Sequence, residues 1–207
     1  MLPSAIQATD YHTGGEPFRI VADPPVPIPV RTVAERRARA IEDPAVQGLR
    51  AVLCSEPRGH ADMYGGFVVP PDDDGADLGV LFWHKDGFST ACGHGTIWFD
   101  ELGDAERLVH QRNVTIFADG EADRSPCGSG TCARLAVLAA DGRLPTGTVL
   151  RHDSIVGSTF TATVLDTIDA DGHPAVIPQV TGTAYRTGEH LFSIDPHDPL
   201  VPGFVLR

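Results

Sequence analysis

Two of the four cysteines in this 207-residue chain stand where acid–base chemistry would be favoured. Cys92 is followed by Gly-His-Gly and Cys127 by Gly-Ser-Gly, and an apolar run follows each. We expect both cysteines to begin helices. The first N–H groups of a helix have no intrahelical partner and, with the helix dipole, favour an anion. A cysteine at such a position should have a lowered thiol pKa, so both thiols are candidates for proton transfer.

Two such turns facing each other would bind one carboxylate and place a sulfur on either side of its α-carbon. One cysteine, as thiolate, would remove the Cα proton, and the other, as thiol, would protonate the opposite face. This chemistry requires two cysteines and neither a metal nor an organic cofactor. We therefore expect an enzyme that works without a cofactor.

The other two cysteines fit a structural role. Cys54 lies in an apolar run that is interpreted as a strand, and Cys132 lies one turn into the second cysteine helix. Both are predicted to pack in the core, as unpaired cysteines of intracellular proteins often do. The spacings Cys92-x-His94 and Cys127-x4-Cys132 match no standard zinc motif, so no metal site is predicted.

The rest of the chain, with 22 glycines and 17 prolines, is typical of short strands and turns. One helix is predicted from the capping box Thr32–Glu35 to Glu42, before Pro44. The second cysteine helix should end at Asp141–Gly142; it is apolar nearly all round, which predicts burial on all sides. Alternating or apolar runs predict strands at Ala5–Tyr11, Phe18–Ala22, Leu49–Ser55, Met63–Val69, Leu78–Trp83, Asn113–Ala118, Thr148–Ile155, Thr159–Leu165, Ala175–Tyr185 and His190–Ile194. The pattern indicates an α+β fold in which antiparallel strands surround a buried helix.

Composition excludes several classes of protein. The net charge of −12, without a basic cluster, argues against nucleic acid as a partner. Apolar runs are too short to span a membrane, and the N-terminus lacks the features of a signal peptide. Four cysteines are too few for a disulfide scaffold. We expect a cytoplasmic protein with reduced thiols and a small-molecule partner.

Four motifs resemble the successive signatures of the proline racemase family, which includes 4-hydroxyproline 2-epimerases and trans-3-hydroxy-L-proline dehydratases. The motifs are Asp10–Pro17 (DYHTGGEP), Glu56–Gly59 (EPRG), Cys92–Gly95 (CGHG) and Asp123–Gly130 (DRSPCGSG). The likeness extends from about residue 7 to 97 and from about 111 to the C-terminus. It implies a fold similar to diaminopimelate epimerase, with pseudo-twofold halves that each wrap strands around a central helix headed by one catalytic cysteine.

The resemblance also implies roles for individual residues and a substrate, proline or a hydroxyproline. Cys92 and Cys127 match the two proton-transfer positions. The backbone of Gly93 and His94, and that of Gly128 and Ser129, would hold the substrate carboxylate. Asp123, together with His94, would orient the ring nitrogen. From the residues alone, Asp123 could equally cap the turn before Pro126.

The chain departs from the family between the two cysteines, which are only 35 positions apart (127 − 92). Trp98–Asp100 does not continue the family's long apolar helix, so we place a seam there. The predicted parts are an N-terminal half, 1–98, a shortened junction, 99–112, and a C-terminal half, 113–207, with at least one half incomplete. Either one hybrid cage of strands or a homodimer that shares strands is expected.

Three functions stay open at this point. A thiol at Cys127, where the dehydratase branch typically carries threonine, favours racemisation or epimerisation. The sequence of residues 56–64 and 79–84 is more similar to that of the dehydratases. This similarity favours elimination of water from trans-3-hydroxy-L-proline. The shortened junction favours a third interpretation, a catalytically inactive remnant.

Overall fold

Two mixed β-sheets, each with its own hydrophobic cluster, form the chain in the computed structural model, which describes residues 2–89, 96–117, 120–145 and 147–206. The elements in chain order are β1 (Ala5–Thr13), β2 (Glu16–Val21), α1 (Val33–Glu42), α2 (Pro44–Cys54), β3 (Tyr64–Val69), β4 (Gly79–His84), β5 (Gly87–Phe88), β6 (Thr96–Ala105), β7 (Leu108–Ile116), α3 (Gly128–Ala140), β8 (Val149–Asp153), β9 (Thr159–Ala170), β10 (His173–Thr181) and β11 (Ala184–Ser193). The α+β class predicted from the sequence is confirmed.

The chain divides into two compact units that are discontinuous in sequence. Unit 1 comprises Met1–His12, Pro17–Thr90 and Tyr185–Arg207, and unit 2 comprises Thr13–Glu16 and Ala91–Ala184. The predicted division at 99–112 follows the chain linearly, whereas the last strand, β11, lies beside β1 in the sheet of unit 1. The sequence pattern does not show that β11 pairs with β1, because the neighbours of a strand are set by tertiary pairing.

Unit 1 is a six-stranded sheet in the order β11-β1-β2-β3-β4-β5, packed against α1 and α2. β2 and β3 run parallel, and the two helices form the connection between them. The capping box at Thr32 and Glu35 is present and begins α1, as predicted. The buried apolar side chains of this unit include Leu49, Leu53, Phe67 and Trp83.

Unit 2 is a five-stranded sheet in the order β10-β9-β8-β7-β6, and α3 packs against β9 and β10. β7 and β8 run parallel, and α3 lies in the connection between them. Its hydrophobic cluster is built around Leu135, Leu138 and Leu150, all fully buried. In both units, therefore, a helical crossover joins two parallel neighbours, and the next strand along the chain pairs antiparallel with the second of them.

Two sheets and two clusters replace the single hybrid cage that was one of the two expectations. Each unit has enough strands to build a sheet of its own, because the segment 99–112, predicted as a shortened junction, is part of the β6–β7 hairpin. Arg107, in the turn between these two strands, has a φ of 60°.

The prediction of a helix after Cys92 is wrong for the residues that the structure describes. Thr96–Phe99 begins β6 and pairs with β7. Thr, Ile, Trp and Phe in succession are β-branched or aromatic and favour a strand. The prediction of a strand at Leu49–Ser55 is also wrong. That segment is the end of α2, which begins at the N-cap Asp43 and Pro44.

α3 ends at Asp141 as predicted, with Gly142 at a φ of 71°. It is not buried on all sides, however, because Val137 is 49% exposed while the adjacent Leu138 is fully buried. An apolar composition shows that a helix tolerates burial, but only packing decides which face is covered. Among the described residues, the helices are too short or too polar to be candidates for crossing a bilayer.

Candidate active site

Cys127 lies at the N-cap of α3, where the sequence predicted a helix start. Its backbone has a φ of 59° and a ψ of 111°, a conformation that L-residues rarely adopt, and its side chain is 1% exposed. The Sγ atom lies 3.7 Å from Ser129 Oγ, within the first turn. Strained backbone of this kind is often retained at functional positions, where the surroundings enforce it.

Asp123 and Ser125 hold the turn before Cys127. Asp123 Oδ1 accepts hydrogen bonds from Ser125 N (2.8 Å) and Ser125 Oγ (2.7 Å). Ser125 Oγ in turn accepts from Cys127 N at 3.0 Å. Burial raises the pKa of Asp123, while hydrogen bonds from Ser125 and from the Cys127 thiol oppose that rise. The structure thus brings Asp123 and Cys127 together, and it makes one carboxylate oxygen of Asp123 a support for the cysteine turn.

Polar side chains beneath the turn converge on the carbonyl oxygen of Pro126. It accepts from Asn113 Nδ2 at 2.7 Å and from Thr131 Oγ1 at 3.1 Å. Thr131 Oγ1 also lies 2.9 Å from Nδ1 of His152. Because the single hydroxyl hydrogen of Thr131 goes to Pro126, Nδ1 of His152 is assigned as the donor in this contact.

His152 is a buried, neutral histidine that the sequence analysis did not single out. Its side chain is fully buried, and Phe99 stacks on its ring with centroids 5.6 Å apart. Burial, followed by the charge of Arg134, lowers the pKa of His152 to about 4. Its Nε2 atom has no hydrogen-bond partner within the part of the chain that the structure describes.

Glu16, the first residue of β2, reaches the same turn. Its Oε2 accepts a hydrogen bond from Arg124 N at 2.9 Å, and Nη1 of Arg124 lies 3.4 Å from it. Burial raises the pKa of Glu16 to about 7 despite the hydrogen bond from Arg124. Glu16 belongs to the motif Asp10–Pro17, so the sequence draws attention to this segment but does not identify the partner of Glu16.

Gly128 and Ser129, predicted to present backbone N–H groups, form the start of α3. Gly128 is exposed, and a Cβ added to it would meet no atom within 4 Å. Gly130 is different, because an added Cβ would lie 2.7 Å from Ile97 Cδ1 and 3.2 Å from Cys127 Sγ. The glycines therefore leave the helix start open on one side and let Ile97 pack closely on the other.

The first cysteine turn, with Cys92, Gly93 and His94, lies outside the described residues. Its thiol, its substrate contacts and its distance from Cys127 accordingly stay predictions. Among the residues that are described, no group of three His, Cys, Asp or Glu side chains is arranged to hold a metal ion.

The two remaining cysteines lie in different environments. Cys54 is fully buried in the cluster of unit 1, which confirms its predicted packing role, although it ends a helix and not a strand. Cys132 is half-buried on α3. Burial, and then the charge of the Cys127 thiol, raises the pKa of Cys132. Neither thiol is therefore prepared as a thiolate near neutral pH.

The sequence model of the family described as proline racemase matches residues 8–102 and 96–205 of this chain. The chain is 28% identical to a trans-3-hydroxy-L-proline dehydratase of Bacillus cereus, over 95% of this chain and 97% of the relative. It is also 28% identical to a 3-hydroxyproline 2-epimerase of Burkholderia multivorans, with 98% of each chain covered.

Two solved structures have the same fold. A hydroxyproline epimerase from Agrobacterium vitis with bound trans-4-OH-L-proline superposes with a TM-score of 0.83 at 21% identity, covering 99% of this chain and 95% of that one. A probable proline racemase from Agrobacterium radiobacter K84 with bound carbonate gives a TM-score of 0.81 at 22% identity, covering 97% and 96%. At these identities the likeness concerns the fold.

The relatives are longer than this chain. The alignment with the Bacillus cereus protein runs over 325 positions, so at least 118 of them (325 − 207) have no counterpart here. The two segments matched by the family model overlap at residues 96–102.

Proposed function

Because the chain belongs to the proline racemase family, we propose that it is a cofactor-independent racemase or epimerase acting at Cα of proline or a hydroxyproline. The observation that carries this proposal is Cys127, held at the first turn of α3 beside an exposed Gly128. The N–H groups of a helix start, together with the helix dipole, suit a carboxylate, and the thiol lies in the same turn.

In the proposed reaction Cys92 and Cys127 act on opposite faces of one α-carbon. The thiolate of one removes the Cα proton, and the thiol of the other returns a proton from the other side, so the pair exchanges protonation states at each turnover. Gly93 and His94 on one side, and Gly128 and Ser129 on the other, bind the carboxylate. Asp123 and His94 are assigned to the ring nitrogen.

Deuterium incorporation at Cα tests this assignment directly. The protein, treated with a chelator and without added pyridoxal phosphate, is incubated in deuterated buffer with L-proline, trans-4-hydroxy-L-proline or trans-3-hydroxy-L-proline. Loss of the Cα proton signal in NMR is expected with at least one of them. Cys92→Ser and Cys127→Ser should each lower the rate at least about 100-fold, whereas Cys132→Ala should retain it. Three unlabelled substrates at high protein concentration would contradict the proposal.

A dehydratase is the second candidate, supported by the 28% identity with the Bacillus cereus trans-3-hydroxy-L-proline dehydratase. Here one base removes the Cα proton and the 3-hydroxyl group leaves as water, which gives a cyclic imine. Formation of the imine from trans-3-hydroxy-L-proline, with activity retained in Cys127→Thr, would favour this reaction over epimerisation.

A catalytically inactive remnant is the third candidate, supported by the at least 118 alignment positions that have no counterpart in this chain. It predicts that pyrrole-2-carboxylate, a planar mimic of the deprotonated intermediate, fails to bind. Titration calorimetry with this compound separates the remnant from both enzymes, which should bind it through the helix start at Gly128 and Ser129.

A homodimer is also proposed. β6 is the last strand of its sheet among the described residues, and its Trp98 is 64% exposed. An open strand edge with apolar side chains favours pairing with another chain. Light scattering coupled to size exclusion should give twice the 22.0 kDa mass of one chain, and a stable monomer at high concentration would contradict this.

A further inference from the structure

We propose that Glu16 is a positioning residue for Cys127, which clamps the Asp123–Pro126 turn and holds it more firmly when ionised. The inference deepens the proposed function and rests on it for its catalytic meaning. Its structural content, a clamp on the turn that presents the thiol, is independent of whether the chain turns over a substrate.

The clamp is built from two contacts to one residue of the turn. Glu16 Oε2 accepts from Arg124 N at 2.9 Å, and the Arg124 guanidinium lies 3.4 Å away on the same carboxylate. The side chain of Glu16 is only 15% exposed. One carboxylate therefore fixes both the backbone and the side chain of Arg124, the residue between Asp123 and Ser125.

The segment that carries Glu16 is itself anchored. Gly14 N donates to Thr183 O at 3.3 Å, and Gly14 O accepts from Ser158 Oγ at 2.6 Å. Gly14, at a φ of 59°, approaches so closely that an added Cβ would lie 3.2 Å from Ser125 Cβ and 3.3 Å from Pro126 Cδ. Only glycine allows both this conformation and this contact.

Successive hydrogen bonds connect the contact of Glu16 with Arg124 to Cys127. Arg124 N is held by Glu16, Ser125 is held by Asp123 Oδ1, and Ser125 Oγ accepts from Cys127 N. The strained φ of 59° at Cys127 needs support from its surroundings. Loss of the contacts that hold Arg124 should therefore make the backbone at Cys127, three residues further along the chain, less firmly held.

The ionisation state of Glu16 should change with pH near neutrality. Arg124 favours its ionised form and Asp123 opposes it, while the loop 154–158, which packs on Gly14 and Gly15, carries no charged residue. With a pKa of about 7, set mainly by burial, Glu16 is ionised above neutral pH and protonated below it. A carboxylate accepts a stronger hydrogen bond than a carboxylic acid, so the clamp tightens as the pH rises through 7.

Two NMR measurements on the wild-type chain test the clamp without relying on turnover. The Glu16 carboxyl carbon should titrate with a midpoint near 7, and a midpoint near the ordinary 4.5 would overturn the proposal. Amide exchange at Arg124 and Cys127, corrected for the intrinsic pH dependence, should slow about tenfold between pH 6 and 8.

Glu16→Gln supplies the matched comparison, with Glu106→Gln as the control in an exposed turn of the same unit. At pH 8, Glu16→Gln should exchange its Arg124 and Cys127 amides about tenfold faster than wild type, and the pH dependence should vanish. Glu106→Gln should behave as wild type. Equal protection in all three proteins would overturn the proposal.

Activity separates the clamp from the reaction. If Cα exchange is observed, its pH profile should contain a step near 7 that Glu16→Gln removes. If no substrate is labelled but the amide results hold, the clamp stands and the proposed function fails. A profile unchanged by Glu16→Gln, with amides also unchanged, refutes the clamp alone.

Discussion

At the scale of single residues, Cys127 begins α3 with a backbone φ of 59°. An L-residue keeps such a conformation only where its surroundings support it. The surroundings include the hydrogen bond from Cys127 N to Ser125 Oγ and the close approach of Ile97 to Gly130.

The positive φ predicts an unusual order of stability among variants of Cys127. Glycine adopts φ near +60° without steric cost, whereas alanine does not. Cys127→Gly should therefore be more stable than Cys127→Ala by about 1 kcal/mol, measured by urea unfolding. Cys132 provides the control, since its helical position should reverse the order, with glycine about 1 kcal/mol worse. The same order at both positions would contradict the strained conformation.

His152 escaped the sequence analysis because nothing in its local pattern distinguishes it from an exposed strand histidine. Its role follows from Thr131 and Pro126, which lie 21 and 26 positions away (152 − 131 and 152 − 126). The same holds for Asn113, which was read only as part of a strand. Support beneath the cysteine turn is tertiary, so residue type alone does not reveal it.

Acid should destabilise the fold through His152. Its pKa falls from 6.5 to about 4 on folding, so the unfolded chain binds the proton more readily and stability decreases as the pH drops below 6.5. Between pH 7.5 and 5 this group should remove about 2 kcal/mol of unfolding free energy. Urea unfolding of wild type and His152→Gln at both pH values measures the difference. An equal pH dependence in the two proteins would show that His152 titrates normally.

At the scale of elements, propensity predicted α1 and α3 well and failed at α2 and β6. α1 carries its own start signal in Thr32 and Glu35, and α3 has its stop at Gly142. Leu49–Ser55 is too short an apolar run for its period to be decided from sequence. Thr96–Phe99 was assigned to a helix by analogy with Cys127, against its own β-branched and aromatic composition.

The two faces of α3 should respond differently to truncation. Leu138 is fully buried in the cluster of unit 2, so Leu138→Ala should cost about 2–5 kcal/mol. Val137 is 49% exposed, and Val137→Ala should change stability by less than about 0.5 kcal/mol. Urea unfolding of the two neighbouring variants provides the comparison. A similar cost for both would mean that the helix is covered on every side, as the sequence suggested.

At the scale of the whole molecule, length was the informative signal. The short interval between Cys92 and Cys127 indicated missing structure, and the alignment with the Bacillus cereus relative contains at least 118 positions without a counterpart here. The arrangement of the remaining strands was not predictable. Two separate sheets form because β6 and β7 pair across the segment that was expected to be a shortened junction.

The two tryptophans report on the proposed homodimer. Trp83 is fully buried in unit 1, whereas Trp98 on β6 is 64% exposed. Acrylamide should quench Trp98 fluorescence and spare Trp83, and Trp98→Phe should remove the quenchable component. If a second copy covers β6, quenching should increase on dilution. Quenching that is independent of protein concentration would leave β6 exposed to solvent and count against a dimer through this strand.

The return of β11 to the side of β1 has a consequence for the order in which the nascent protein acquires its structure. During synthesis, every strand of the second sheet has been translated before β11 is complete. The edge of β1 therefore has no neighbour on that side until β11 has left the ribosome. Unit 2 is thus the part able to mature first, although unit 1 supplies most of the earliest residues.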